Sequence, residues 1–151
     1  MSKMLVFDMD GTIANLYGVN NWLIDLQEEK TRPYDIAEPM YNMAELSDIL
    51  CKLQKKGWRI CVTTWLAKNA TKAYNIAVTK AKKAWLKKYS FPYEEIHCVK
   101  YGTTKANCTR NKADYQILID DNKKIRNRWT LGKTIDATKN IMPELKKLLD
   151  N

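Results

Sequence analysis

Short apolar runs alternate with amphipathic stretches along this chain. Met4-Leu5-Val6-Phe7 is a continuous apolar run, the pattern of a buried parallel strand, and Gly11 permits a sharp exit from it. Trp58-Arg59-Ile60-Cys61-Val62-Thr63, Glu95–Val99 and Tyr115–Ile119 predict three further strands, and Thr134–Asp136 a weak one. Between them the period lengthens to that of a helix. Met43, Leu46, Ile49, Leu50 and Leu53 form one stripe, with Asn42 as its cap, Glu45 three residues on and Gly57 at its end. A long helix is predicted over 69–88, with Tyr74, Val78, Ala81 and Trp85 on its core face and Lys80, Lys82, Lys83, Lys87 and Lys88 on a solvated one. Shorter helices are expected near Asn21–Glu29, from Lys105, from Lys123, and at the end around Ile141, Leu145, Leu148 and Leu149.

Strands alternating with helices predict a single α/β domain over 1–151, with a doubly wound, mainly parallel sheet. Such sheets bind ligands beyond the carboxyl ends of their strands. The polar residues closing the apolar runs are Asp8 and Asp10, Thr63 and Thr64, and Asp120 and Asp121, so the topology gathers them at one place.

Composition narrows the class. With Gly at 5 and Pro at 4 among 151 residues, the chain is neither collagen-like nor low-complexity. No apolar stretch is long enough to span a membrane. The N-terminal Met1-Ser2-Lys3-Met4-Leu5-Val6-Phe7-Asp8 meets an acid too early for a signal peptide's apolar core, and a cytoplasmic location is expected. Cys51, Cys61, Cys98 and Cys108 show no zinc-ligand spacing and are expected to be reduced and mostly buried. The net charge is +9, and residues 49–93 hold eleven Lys or Arg and no acid. That field favours anionic partners: nucleic acid, nucleotides or phosphorylated metabolites.

The sharpest signal is Asp8-Met9-Asp10-Gly11-Thr12 directly after an apolar strand. Together with Thr63 at a strand end, a Lys ahead of the fourth strand, and Ile117-Leu118-Ile119-Asp120-Asp121, it resembles the haloacid-dehalogenase-like phosphohydrolase superfamily over nearly the whole chain. Within that superfamily it is most similar to small 5′-nucleotidase and deoxyribonucleotidase-type members. The resemblance implies a Rossmann-like core with a small cap inserted after the first strand, at about 15–42. It implies Asp8 as nucleophile, forming an aspartyl-phosphate, and Asp10 as general acid and then base. Thr63 would hold the phosphate with Thr64 beside it, and Lys105 would stabilise the transferring group, with Lys112 as its rival. Clustered carboxylates need a cation, so Mg²⁺ is expected on Asp8, the Asp10 backbone carbonyl, and Asp120 or Asp121.

Other residues read more plainly. His97 has no partner in view, and Trp58 and Trp85 fit a core. Tyr17, Trp22, Tyr34 and Tyr41, in the insert, are able to stack on a base or to pack the insert onto the core. The leading expectation is thus a Mg²⁺-dependent phosphatase of a nucleoside monophosphate. The alternatives are a phosphatase of polynucleotide ends, using the basic stretch 49–93, and a non-catalytic nucleic-acid or protein-binding domain on the same fold.

Overall fold

A computed structural model describes residues 1–151. In chain order the elements are β1 (Lys3–Phe7), β2 (Ala14–Asn15), a 3-10 turn (Leu16–Gly18), α1 (Trp22–Gln27), α2 (Arg32–Ile36) and β3 (Glu38–Pro39). There follow α3 (Met43–Lys55), β4 (Trp58–Trp65), α4 (Lys72–Lys88), β5 (Glu95–Val99) and α5 (Lys105–Thr109). The chain closes with β6 (Tyr115–Asp120), α6 (Lys123–Asn127), β7 (Thr134–Asp136) and α7 (Met142–Leu149).

Five strands form one sheet in the order β5-β4-β1-β6-β7, and every pairing is parallel. The expected doubly wound α/β architecture is what the chain adopts. The most apolar run takes the centre because a middle strand is covered on both faces, and Met4–Phe7 are all buried. Strand parity then divides the core. Leu5, Phe7, Ile60, Val62, Ile117 and Ile119 face α3, α7 and the end of α4. Met4, Val6, Cys61 and Leu118 face the other way, onto Ala106 of α5 and Trp129. The α3 stripe Met43, Leu46, Ile49, Leu50 and Leu53 is buried as its spacing requires. Asn42 caps that helix, its Oδ1 accepting from the Glu45 N–H at 3.1 Å.

The residues after β1 hold more structure than their composition suggests. β2 and β3 form a small antiparallel pair, and Leu16 and Tyr34 pack with Tyr74, Val78 and Ala81 of α4. Trp58 and Trp85 lie in the core, and the Trp85 indole N–H donates to the Ala37 carbonyl at 2.8 Å. Tyr41 turns instead to the C-terminal region, where its hydroxyl donates to the Lys139 carbonyl at 3.3 Å.

Three expectations need correction. The second main strand runs to Trp65 rather than stopping at Thr63, because β5 pairs with it as far as Val99. Lys82 is not on a solvated face: it is fully buried. The cysteines are all free as expected, but only Cys61 is buried, while Cys51 is exposed and Cys98 and Cys108 lie between. No helix is long and apolar enough to cross a membrane.

Candidate active site

β1 and β6 end side by side, Phe7 in register with Ile119, so Asp8 and Asp120 leave the sheet as neighbours. Both follow the parity of Val6 and Leu118, towards α5. Lys105, the first residue of α5, lies there with 3% of its surface exposed. Its Nζ donates to Asp8 Oδ1 at 2.8 Å and to Asp120 Oδ2 at 2.8 Å. Thr12 completes the hold on the first carboxylate, its hydroxyl donating to Asp8 Oδ2 at 3.0 Å and lying 3.3 Å from Asp121 Oδ1. Lys112, the sequence rival, is elsewhere: its Nζ is 3.4 Å from Glu95 Oε2 and its side chain is 43% exposed.

Asp10 lies past the end of β1, where the chain has already turned, and it is met from the other face of the sheet. Lys82 of α4 donates to Asp10 Oδ2 at 2.9 Å, to Thr64 Oγ1 at 2.7 Å and to the Trp65 carbonyl at 2.8 Å. Each side of the sheet therefore supplies one buried lysine, and each lysine fixes one of the two key carboxylates. Sequence reasoning missed Lys82. A signal was present: Val78, Ala81, Lys82 and Trp85 share one helical stripe, so a lysine among them points into the core.

The two threonines, adjacent in β4, separate by strand alternation. Thr64 lines the cavity beside Asp10, whereas Thr63 is fully buried with its hydroxyl 3.6 Å from Cys61 Sγ and off the cavity wall. The pairing of Thr63 first and Thr64 second is thus reversed in space. Gly11 has φ +82°, and a Cβ there would fall 2.5 Å from Asp121 Oδ2 and 2.9 Å from the Tyr17 ring. Only glycine allows both the turn and that close approach.

The charges are crowded. Burial pushes the Asp8 carboxyl up, but the Lys105 charge and hydrogen bonds hold it below the ordinary range. Burial dominates at Asp10 and raises it despite Lys82. Asp120 is raised by burial and by repulsion from Asp8. Asp121 is pushed up to about 7 by burial, by its hydrogen bond with Asp8 and by the neighbouring carboxylates. Lys105, whose burial alone would lower it, is raised by Asp8 and Asp120.

Carboxylate oxygens of Asp8, Asp120 and Asp121 lie within 4.8 Å of one another. The donors are all hard oxygens, and one lysine leaves the three carboxylates with surplus negative charge, so the cluster fits Mg²⁺. The Asp10 carboxylate is not among them, being turned to Lys82.

The cluster forms the floor of a cavity of about 540 Å³. Its walls are aromatic: Tyr17, Trp22, Tyr34, Trp65 and Tyr101, with Leu16, Leu23 and Leu26 between them. Tyr17 and Trp22 meet edge to face at 4.9 Å, and the Trp65 indole N–H donates to the Thr103 carbonyl at 2.8 Å. Of the lysines in 49–93, Lys68 alone lines this cavity. A second pocket of about 300 Å³ shares Trp65, Tyr101 and Lys105 with it and carries Lys124 and Arg128.

No family model matches the chain, and no curated protein does either. Among solved structures it is similar to D,D-heptose 1,7-bisphosphate phosphatase from Burkholderia thailandensis, with a TM-score of 0.60 and 12% identity. The match covers 99% of this chain and 100% of that one. At that identity the likeness concerns architecture, and the two chains share one fold end to end.

Proposed function

We propose that this chain is a phosphohydrolase that removes the phosphoryl group from a phosphomonoester, a nucleoside monophosphate first among them. One observation carries the reading: Asp8, Asp10, Lys105, Asp120 and Asp121 converge at the floor of one aromatic-walled cavity. Its fold likeness to a sugar-phosphate phosphatase and its motif resemblance to the haloacid-dehalogenase-like superfamily support the same chemistry.

In this reading a carboxylate oxygen of Asp8 attacks phosphorus as the bond to the ester oxygen breaks, giving an aspartyl-phosphate. Thr12 and Lys105 set the rotation of Asp8 for that attack. Asp10, held by Lys82, gives its proton to the leaving oxygen. Water then attacks the same phosphorus, Asp10 takes the water's proton, and Asp8 is released with phosphate. Lys105 offsets charge on the transferring oxygens, and Thr64 borders them. Mg²⁺ on Asp8, Asp120 and Asp121 would supply electrostatic stabilisation of the phosphoryl oxygens when bound. Residues 15–42, with α1 and α2, act as the small cap, and Tyr17, Trp22 and Tyr34 offer faces and edges to a base.

A second reading, a phosphatase of polynucleotide ends, draws on the adjoining pocket with Lys124 and Arg128. Phosphate release from nucleoside monophosphates, sugar phosphates and phosphorylated oligonucleotides separates the two. Free nucleotides should be turned over at least as well as oligonucleotides. A strong oligonucleotide preference would promote the second reading, and no release from any substrate would leave a binding domain on this fold.

A further inference from the structure

A second cluster lies on a different strand pair from the one that sets Asp8 beside Asp120. β4 and β5 pair with Cys61 opposite Glu95 and Thr63 opposite His97. Alternation along the strands puts the Cys61, Glu95 and His97 side chains on one face. Their ligand atoms lie within 4.8 Å of one another, and none of the three lines the cavity. His97 Nε2 is 2.5 Å from Glu95 Oε2, so the histidine does have a partner. Cys61 is fully buried, while the Glu95 and His97 side chains are 24% and 25% exposed, which leaves solvent a route to the cluster.

We propose that Cys61, Glu95 and His97 bind one zinc-like divalent ion, bracing edge strand β5 against β4. One sulfur, one imidazole nitrogen and one carboxylate oxygen suit Zn²⁺, whereas Mg²⁺ takes oxygen alone. The two clusters therefore differ in kind: the acid triad is hard, and this one is borderline to soft. Three protein ligands leave water the fourth tetrahedral position. On binding, the Cys61 S–H bond breaks, its proton goes to solvent and its electron pair goes to the metal. The Glu95–His97 hydrogen bond opens, and each residue turns a lone pair inwards. Thiolate and carboxylate together balance the charge of the ion, and the Lys112 ammonium, 43% exposed, is free to leave Glu95 for water. The edge strand gains a crosslink to its neighbour. The inference is independent of the phosphohydrolase reading.

Titration of the full chain with Co²⁺, under saturating Mg²⁺, tests it through absorbance. One equivalent should raise a thiolate-to-metal charge-transfer band, and Zn²⁺ should then bleach it. Cys61→Ser should abolish the band. His97→Ala, at a partly exposed position, should weaken binding by roughly tenfold or more, since even losing a partner behind a ligand costs that much. Zn²⁺ should also raise the Tm of the unaltered chain and not that of His97→Ala. No band at stoichiometric Co²⁺ overturns the proposal. So does a band that survives Cys61→Ser, which would place the sulfur at Cys51, Cys98 or Cys108, or one that His97→Ala leaves unchanged. Should Cys61→Ser fail to fold, His97→Ala still decides.

Discussion

Asp10 and Lys82 are a buried pair whose side chains are 14% and 0% exposed, and neither tolerates losing the other. Lys82→Met should cost about 3 kcal/mol or more in denaturant unfolding, because it leaves a carboxylate buried without its cation. Adding Asp10→Asn should return part of that stability while leaving the protein inactive. Additive losses would deny the coupling. The lysine at the other carboxylate separates two readings of the sequence. Lys105→Ala should lower kcat by roughly a hundredfold or more, while Lys112→Ala, whose side chain pairs with Glu95, should stay near the unaltered rate. Residue placement was legible where it followed directly from a strand end, as at Asp8 and Asp120. It was not legible at Thr63-Thr64: two identical residues side by side give the alternation no means of choosing which faces the cavity. Lys82 hid among the many lysines of its helix, although its place in the apolar stripe marked it.

At the scale of elements, the apolar periods located the main-sheet strands and the major helices, because burial of one face dominates each of them. The insert between Ala14 and Pro39 was harder to read. Its elements are two to six residues long, too short for any period to emerge, and they are held by tertiary packing on α4. Its aromatic side chains nevertheless carry a clear expectation. If Tyr17 or Trp22 stacks on a base, replacing either with Ala should raise KM for nucleoside monophosphates by about five- to a hundredfold, since a stacked base contributes roughly 1–3 kcal/mol. Sugar phosphates, having no base, should be hydrolysed at an unaltered rate. Equal losses on both substrates would make these residues packing elements instead. The cap of α3 gives a simpler check on the fold: Asn42→Ala should cost about 1 kcal/mol in unfolding free energy, with activity kept.

At the scale of the whole molecule, the sheet order places β1 between β4 and β6, and each flanking connection sends one buried lysine to the strand ends. The acid floor is thereby held by the two halves of the chain together. Neither lysine's distance to its carboxylate was readable from spacing, since it depends on where α4 and α5 dock. The +9 charge, which favours anionic partners without choosing among them, is spread so that Lys68 alone of the 49–93 lysines lines the cavity. Binding of a mononucleotide should therefore weaken only modestly with salt, whereas an enzyme tracking several backbone phosphates would lose affinity steeply. The proposed covalent mechanism requires Asp8 as the attacking group. The direct measurement is phosphate release from a nucleoside 5′-monophosphate, in Mg²⁺, by the unaltered chain and by Asp8→Asn at equal folded concentration. The unaltered chain should turn over steadily, and Asp8→Asn should fall by roughly a thousandfold or more, as loss of a covalent nucleophile does elsewhere. Comparable release from both would contradict the covalent mechanism and the role given to Asp8.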